Sequence, residues 1–150
     1  MSHIVTIDLE IHNLEALKSA AARLDMEFRE GQTTYRWFGT RIGNDPLPPG
    51  MSVEDLGRCE HAIAIREAGA GKAYEVGVVR SKSHDGYTLV WDFWRGGFGL
   101  REVVGDGCGR LMQAYALASA KSSAAAKGWS TQEVIQNDGS VRLTLNKRSW

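Results

Sequence analysis

The sequence predicts an α+β fold: a two-layer sandwich whose mainly antiparallel sheet, of about five to seven strands, carries two helices on one face. Three observations lead there. Period-two segments outnumber helical ones. Most of the strand segments are joined by short turns rich in glycine. Two amphipathic stretches, one early and one late, supply the helices. The 150 residues suit one domain over the whole chain.

The elements follow in order. Val5, Ile7, Leu9 and Ile11 alternate with Thr6, Asp8 and Glu10, the period of a half-buried strand. Asn13 can accept a free amide at a helix start, and Leu14, Leu17, Ala21 and Leu24 then trace one apolar stripe. Met26 to Phe38 reads as a second strand, broken near Gly31. Residues 39–58 form a long loop within the domain. Its Asn44-Asp45-Pro46-Leu47-Pro48-Pro49-Gly50 stretch holds all 3 prolines, which lack the amide a helix or central strand needs.

Cys59–Arg66, Tyr74–Arg80 and Tyr87–Trp94 read as an antiparallel meander. A Gly/Ala turn at Ala68–Lys72 joins the first two strands, and a tight turn at Asp85-Gly86 joins the last two. The first β-α-β crossover would add one parallel pair. A helix follows within Leu100–Lys127, most firmly over Arg110–Lys127, with Gly128 as its stop. Ser130–Gln136 and Val141–Lys147 close the chain as a hairpin around Asn137-Asp138-Gly139.

Composition narrows the function. Lys and Arg total 18, as do Asp and Glu, so no net charge draws the chain to a polyanion, which counts against nucleic acid as a partner. The N-terminus lacks a basic, then apolar, leader, and the Leu111–Ala126 stretch is too polar to span a bilayer. The chain is expected in the cytosol, with no membrane partner. The 2 cysteines, Cys59 on a strand and Cys108 on a helix, read as small buried apolar groups.

Four histidines, His3, His12, His61 and His84, show no helical i, i+4 metal spacing, and no metal or cofactor is expected. His84 beside Asp85 reads as a solvated turn residue. The serines of the late helix have no base nearby, so no catalytic set is assigned.

Two segments carry the candidate site. In Trp91-Asp92-Phe93-Trp94-Arg95, one tryptophan must meet the helices. Asp92, Trp94 and Arg95 could then lie on an open face beside Arg36 and Trp37, where aromatic and guanidinium groups stack a base or grip a partner. In Gly105-Asp106-Gly107-Cys108-Gly109-Arg110, alternate glycines before a helix could cradle a phosphate, with Arg110 as its counter-charge. The competing reading there is a distorted first helical turn.

These residues also resemble a known pattern. Met1-Ser2-His3-Ile4, Leu14-Glu15-Ala16-Leu17, Ala62-Ile63 and Tyr74-Glu75-Val76-Gly77-Val78-Val79 contribute to it. So do Asp85–Asp92, Leu111-Met112-Gln113-Ala114-Tyr115-Ala116 and Asp138-Gly139-Ser140. Together they resemble an uncharacterised family of cyanobacteria, plastids and bacteriophages, domain of unknown function 1257, over nearly the whole chain. The Asp45–Gly50 loop departs from that pattern. The resemblance lends no catalytic residues. It implies a partner-binding role, beside a small companion protein or an ATPase.

The sequence therefore points first to a non-enzymatic binding module, taking a protein partner or a small nucleotide-like ligand on its aromatic and arginine-bearing sheet face. The Pro-rich loop would form its rim. An enzyme acting on a phosphorylated small molecule and an accessory subunit of an ATPase are the alternatives. A homodimer through an open sheet edge is a further expectation.

Overall fold

The computed structural model describes residues 4–40, 47–48, 50–66 and 73–147. Most of the Asn44–Gly50 proline stretch, the Gly/Ala turn at Ala68–Lys72 and the Met1–His3 start lie outside them. Strand β1 (Ile4–Ile11) leads to helix α1 (Leu14–Arg23). Asn13 caps that helix by accepting the Ala16 amide at 3.0 Å. Strands β2 (Met26–Glu30), β3 (His61–Ile65), β4 (Val76–Arg80) and β5 (Tyr87–Asp92) complete a five-stranded sheet of order β1-β5-β4-β3-β2.

The fold is the α+β sandwich the sequence predicts, with β3, β4 and β5 paired as neighbours. Two corrections apply. Every pairing among the described strands is antiparallel, so the expected parallel pair does not form. Helix α1 carries the chain from one sheet edge to the other, and β1 and β2 never meet. The second strand also ends at Glu30, well short of Phe38; beyond it only Thr34 makes an isolated bridge, to Arg58.

Helices α2 (Leu100–Val104) and α3 (Gly109–Ala126) take the place of one long late helix. Between them Gly105 and Gly107 hold positive φ, 83° and 58°, and a 3₁₀ turn at Asp106–Cys108 breaks the helix. Cys108 sits in that turn rather than on a helix, and is fully buried. The turn between β4 and β5 is also wider than Asp-Gly implies. Ser81 Oγ accepts the Ser83 and His84 amides at 3.1 and 3.2 Å, so the chain bends early and closes at Gly86.

One face of the sheet meets the helices. Ile7, Ile11, Ile63, Val76, Val78, Leu89 and Trp91 pack there against Leu17 and Ala21 of α1 and Leu111 and Tyr115 of α3. Between Ile7 and Ile11, β1 advances four residues while β5 advances two, from Leu89 to Tyr87. The surplus is even, so Ile11 still points into the core after the bulge.

Strands β6 (Ser130–Ile135) and β7 (Val141–Asn146) form a separate two-stranded ribbon. A lone hairpin is marginal in water. Glu133 anchors this one to the helix layer, accepting from Arg23 of α1 at 2.7 Å and from Lys121 of α3. Those two cations, Arg23 first, hold its carboxyl down at about 2, against an ordinary 4.5.

Two predictions follow from this packing. A Cβ on Gly77 would stand 2.6 Å from Tyr35 Cδ1 on the sheet's second face. Gly77→Ala should therefore cost about 1–3 kcal/mol, read as a lower urea midpoint with an unchanged m-value. The Glu133 anchor is complete above its ordinary value of 4.5 and is lost as pH falls toward about 2. The stability gap between the wild type and Glu133→Gln should close across that window in urea melts taken at successive pH values.

Candidate functional site

The second face of the sheet carries Ile4, Ala62, Val79 and Val90, and among the described residues no α-helix packs on it. The segment after β2 lies over part of it instead. Tyr35 rests on Gly77 and Val90, 3% exposed, and Trp37 leans on Gly57, where a Cβ would stand 2.3 Å from Nε1. This segment does not pair as a strand, so its amides need other acceptors. Tyr35 N donates to the Gly57 carbonyl at 3.0 Å, Arg36 N to Glu75 Oε1 at 2.8 Å and Phe38 N to Asp92 Oδ2 at 3.1 Å. Glu75 also accepts from Arg29 at 2.9 Å and Gln32 at 3.2 Å. Two buried carboxylates thus tie the cover down.

These contacts settle where the predicted site residues lie. Asp92 is fully buried, and its other oxygen accepts the Trp94 amide at 3.0 Å. It holds backbone in place and has no surface to offer a ligand. Trp91 is the tryptophan that meets the helices. Trp94 does not share the open face with Asp92. The strand ends at Asp92, and Trp94 turns back to pack against the helix-side core, half-buried, with Arg95 over its ring at 5.6 Å. Arg36 is exposed and donates to the Ala73 carbonyl at 3.5 Å. Trp37 is half-buried in the second-face cluster. These residues gather around one end of β5. Arg110 is elsewhere, in the helix layer, where it donates to the Glu102 carbonyl at 3.0 Å.

A cleft opens at the other end of the second face. It measures about 760 Å³, between the β4–β5 hairpin and the 50–59 loop. Thr6, Thr88, Val79, Met51 and Cys59 line its interior, with Arg58, Arg80, Lys82, Asp55 and Glu60 around them. Lys82 straps the loop to the hairpin, donating to the Gly50 carbonyl at 2.5 Å and to Asp55 at 3.0 Å. The Ser52 amide, and then Lys82, hold the Asp55 carboxyl below its usual range. The volume falls in the range of small-molecule sites.

No protein-family model, no curated protein and no solved structure matches the chain.

Cys59 precedes β3 instead of lying on it and is only half-buried. Its thiol donates to the Gln32 carbonyl at 3.2 Å, and burial, then the charge of Glu75, push it up to about 11. A thiol so protonated at neutral pH is a poor nucleophile. The Gly105–Arg110 segment lines no part of this cleft. Its Gly105 is pressed against Arg110, 2.8 Å from a would-be Cβ to Cγ, which is the geometry of a kinked helix start. Among the described residues no helix is long and apolar enough to cross a membrane.

Among the described residues, one cluster has metal-ligand chemistry. Glu10, His12 and His84 each present a donor atom, and all three donors lie within 4.8 Å of one another. Helical spacing could not reveal it, because the ligands come from β1, from the residue just after it and from the β4–β5 turn. The one local clue is that Glu10 and His12 stand two residues apart, on one side of an extended chain.

The cover makes its own prediction. Tyr35 Oη is buried with no hydrogen-bond partner assigned among the described residues, and burial pushes its hydroxyl up to about 12. Tyr35→Phe should leave stability unchanged or raise it by up to about 1 kcal/mol, whereas Asp92→Ala, which orphans two amides, should cost about 2–4 kcal/mol. Urea denaturation of both variants separates the two.

Proposed function

We propose that this protein is a non-enzymatic binding module that takes a small, anionic, nucleotide-like ligand in the cleft of its second sheet face. The observation that carries this reading is the lining. Three cations, Arg58, Arg80 and Lys82, stand around hydroxyls of Thr6, Thr88 and Ser81 and an apolar floor of Val79 and Met51. Cations and hydroxyls suit phosphate and sugar oxygens, and the floor suits a base. Glu60 and Asp55 offset part of the charge, at Arg80 and Lys82. The protonated Cys59 favours binding over nucleophilic chemistry.

A second reading, a protein partner, rests on a different surface. Ile135 is 72% exposed and Leu145 45% on one face of the β6–β7 ribbon, with Val134, 47% exposed, on the other. Exposed apolar side chains grouped on one element mark docking surfaces. In that reading the ribbon, and not the cleft, would dock a companion subunit.

Native mass spectrometry of protein taken from its own host separates the two, by a retained small molecule or a retained subunit. For the cleft, fluorescence titration with mant-ADP is expected to show saturable binding. Arg58→Glu and Val79→Phe should each weaken it at least tenfold, while Ile135→Ser should leave it unchanged. Absence of saturable binding to any mononucleotide, with no molecule carried from the host, would overturn the cleft reading.

A further inference from the structure

We propose that Glu10, His12 and His84 form a binding site for a first-row divalent metal ion of the zinc class, with a coordination position left open to solvent or ligand. The donor set is two imidazoles and one carboxylate, the chemistry zinc, nickel and copper favour and magnesium and calcium do not.

The geometry is close to what an ion needs. Glu10 Oε2 and His12 Nε2 stand 3.2 Å apart. Two donors on one tetrahedral zinc, each bonded at about 2.0–2.1 Å, stand about 3.3 Å apart. The third donor, from His84, lies within 4.8 Å of both, and a modest side-chain rotation brings it in. The His12 and His84 rings already meet edge to face at 5.7 Å.

The surroundings fix these ligands in place. His84 Nδ1 lies 3.1 Å from the Asp85 carbonyl. Donation of its proton there leaves Nε2 bare as the ligand, the usual outer-shell arrangement of metal-bound histidine. The His12 and Asn13 amides both donate to the hydroxyl of Tyr115, at 3.2 and 3.3 Å, which ties the end of β1 to α3. Gly86 lets the hairpin approach. A Cβ there would stand 2.6 Å from the Ile11 carbonyl oxygen and 2.8 Å from His12 Nδ1. Three elements distant in sequence are thus fitted to one another at the cluster. His84 also lines the cleft, so the ion would stand at its mouth. The site rests on these contacts alone and stands whether or not the cleft takes a nucleotide.

The test is zinc titration of tag-free protein by calorimetry, with cobalt substitution read by visible absorption. One equivalent of zinc should bind in the micromolar range or tighter. Cobalt should give visible bands of nitrogen and oxygen coordination without the thiolate charge-transfer band that Cys59 would add. Glu10→Gln, which is isosteric and exposed, and His84→Ala should each weaken zinc at least tenfold, with the metal-free melting temperature within a few degrees of wild type. His61→Ala, at another part of the sheet, should retain the site. Absence of stoichiometric zinc binding would overturn the proposal, as would wild-type affinity in both His84→Ala and Glu10→Gln, or loss of the site in His61→Ala with the fold intact.

Discussion

A sheet with helices on one side has a second side that must either face water or be covered. Gly77 decides how much of it is covered here. With no side chain at that position, the Tyr35 ring can lie directly on the central strand and against Val90. The chain after β2 is drawn across the face in consequence, and Trp37 settles on Gly57 behind it. The cover ends where the loop returns toward β3, and the cleft lies in the part of the face left open. The contact between one ring and one glycine therefore shapes both the second core and the candidate site.

The cost of such a cover is backbone that forms no ladder. Two buried acids meet that cost. Glu75 and Asp92 each accept amides from the crossing segment, and Glu75 is further balanced by Arg29. A carboxylate is a stronger acceptor than a carbonyl and can serve several donors at once. It can therefore replace the regular spacing of a partner strand, which the irregular segment cannot match. The same pairing explains why charged residues stand at the ends of otherwise apolar strands, where a sequence reader looks for function.

How much of this was legible in the sequence depends on the range of the interaction. Period-two alternation placed β1, β3, β4 and β5, and Asn13 and Gly128 marked helix ends, because each signal is local. The break of the late helix was half legible: the glycines at 105 and 107 were visible, but whether they held a phosphate or a kink depended on what packed beside them. Tyr35, Trp37 and Phe38 were read as strand because aromatic residues favour pleated surfaces. Tyr35 and Trp37 lie on such a surface rather than in it, a distinction that depends on Gly77, some forty positions away, while Phe38 packs against the helix-side core. Asp92 and Trp94 were grouped by alternation that stops one residue after Asp92. The lining of the cleft and the Glu10, His12 and His84 cluster left almost no local trace, since each draws on segments that meet only after folding.

Backbone strain in this molecule is concentrated away from the cleft. Arg95, Gly96, Gly97, Phe98 and Gly99 all hold positive φ, a left-handed turn five residues long. Two of the five bear side chains and carry a penalty of roughly 1–2 kcal/mol each. Strain of this kind often marks a functional segment, but here a structural use is visible. The turn must reverse the chain from β5 into α2 while Asp92 holds the Trp94 amide, Gly97 accepts the Tyr74 amide at 2.8 Å and Leu100 reaches the core. A Cβ at Gly97 would stand 2.9 Å from Leu100 Cβ, so the reversal is as tight as packing allows. The energy lost in the turn is offset by burial of Leu100, Val104 and Trp91 beneath it. The cleft proposed for binding lies instead at the hairpin end of the sheet, beside the strap from Lys82 to Gly50 and Asp55.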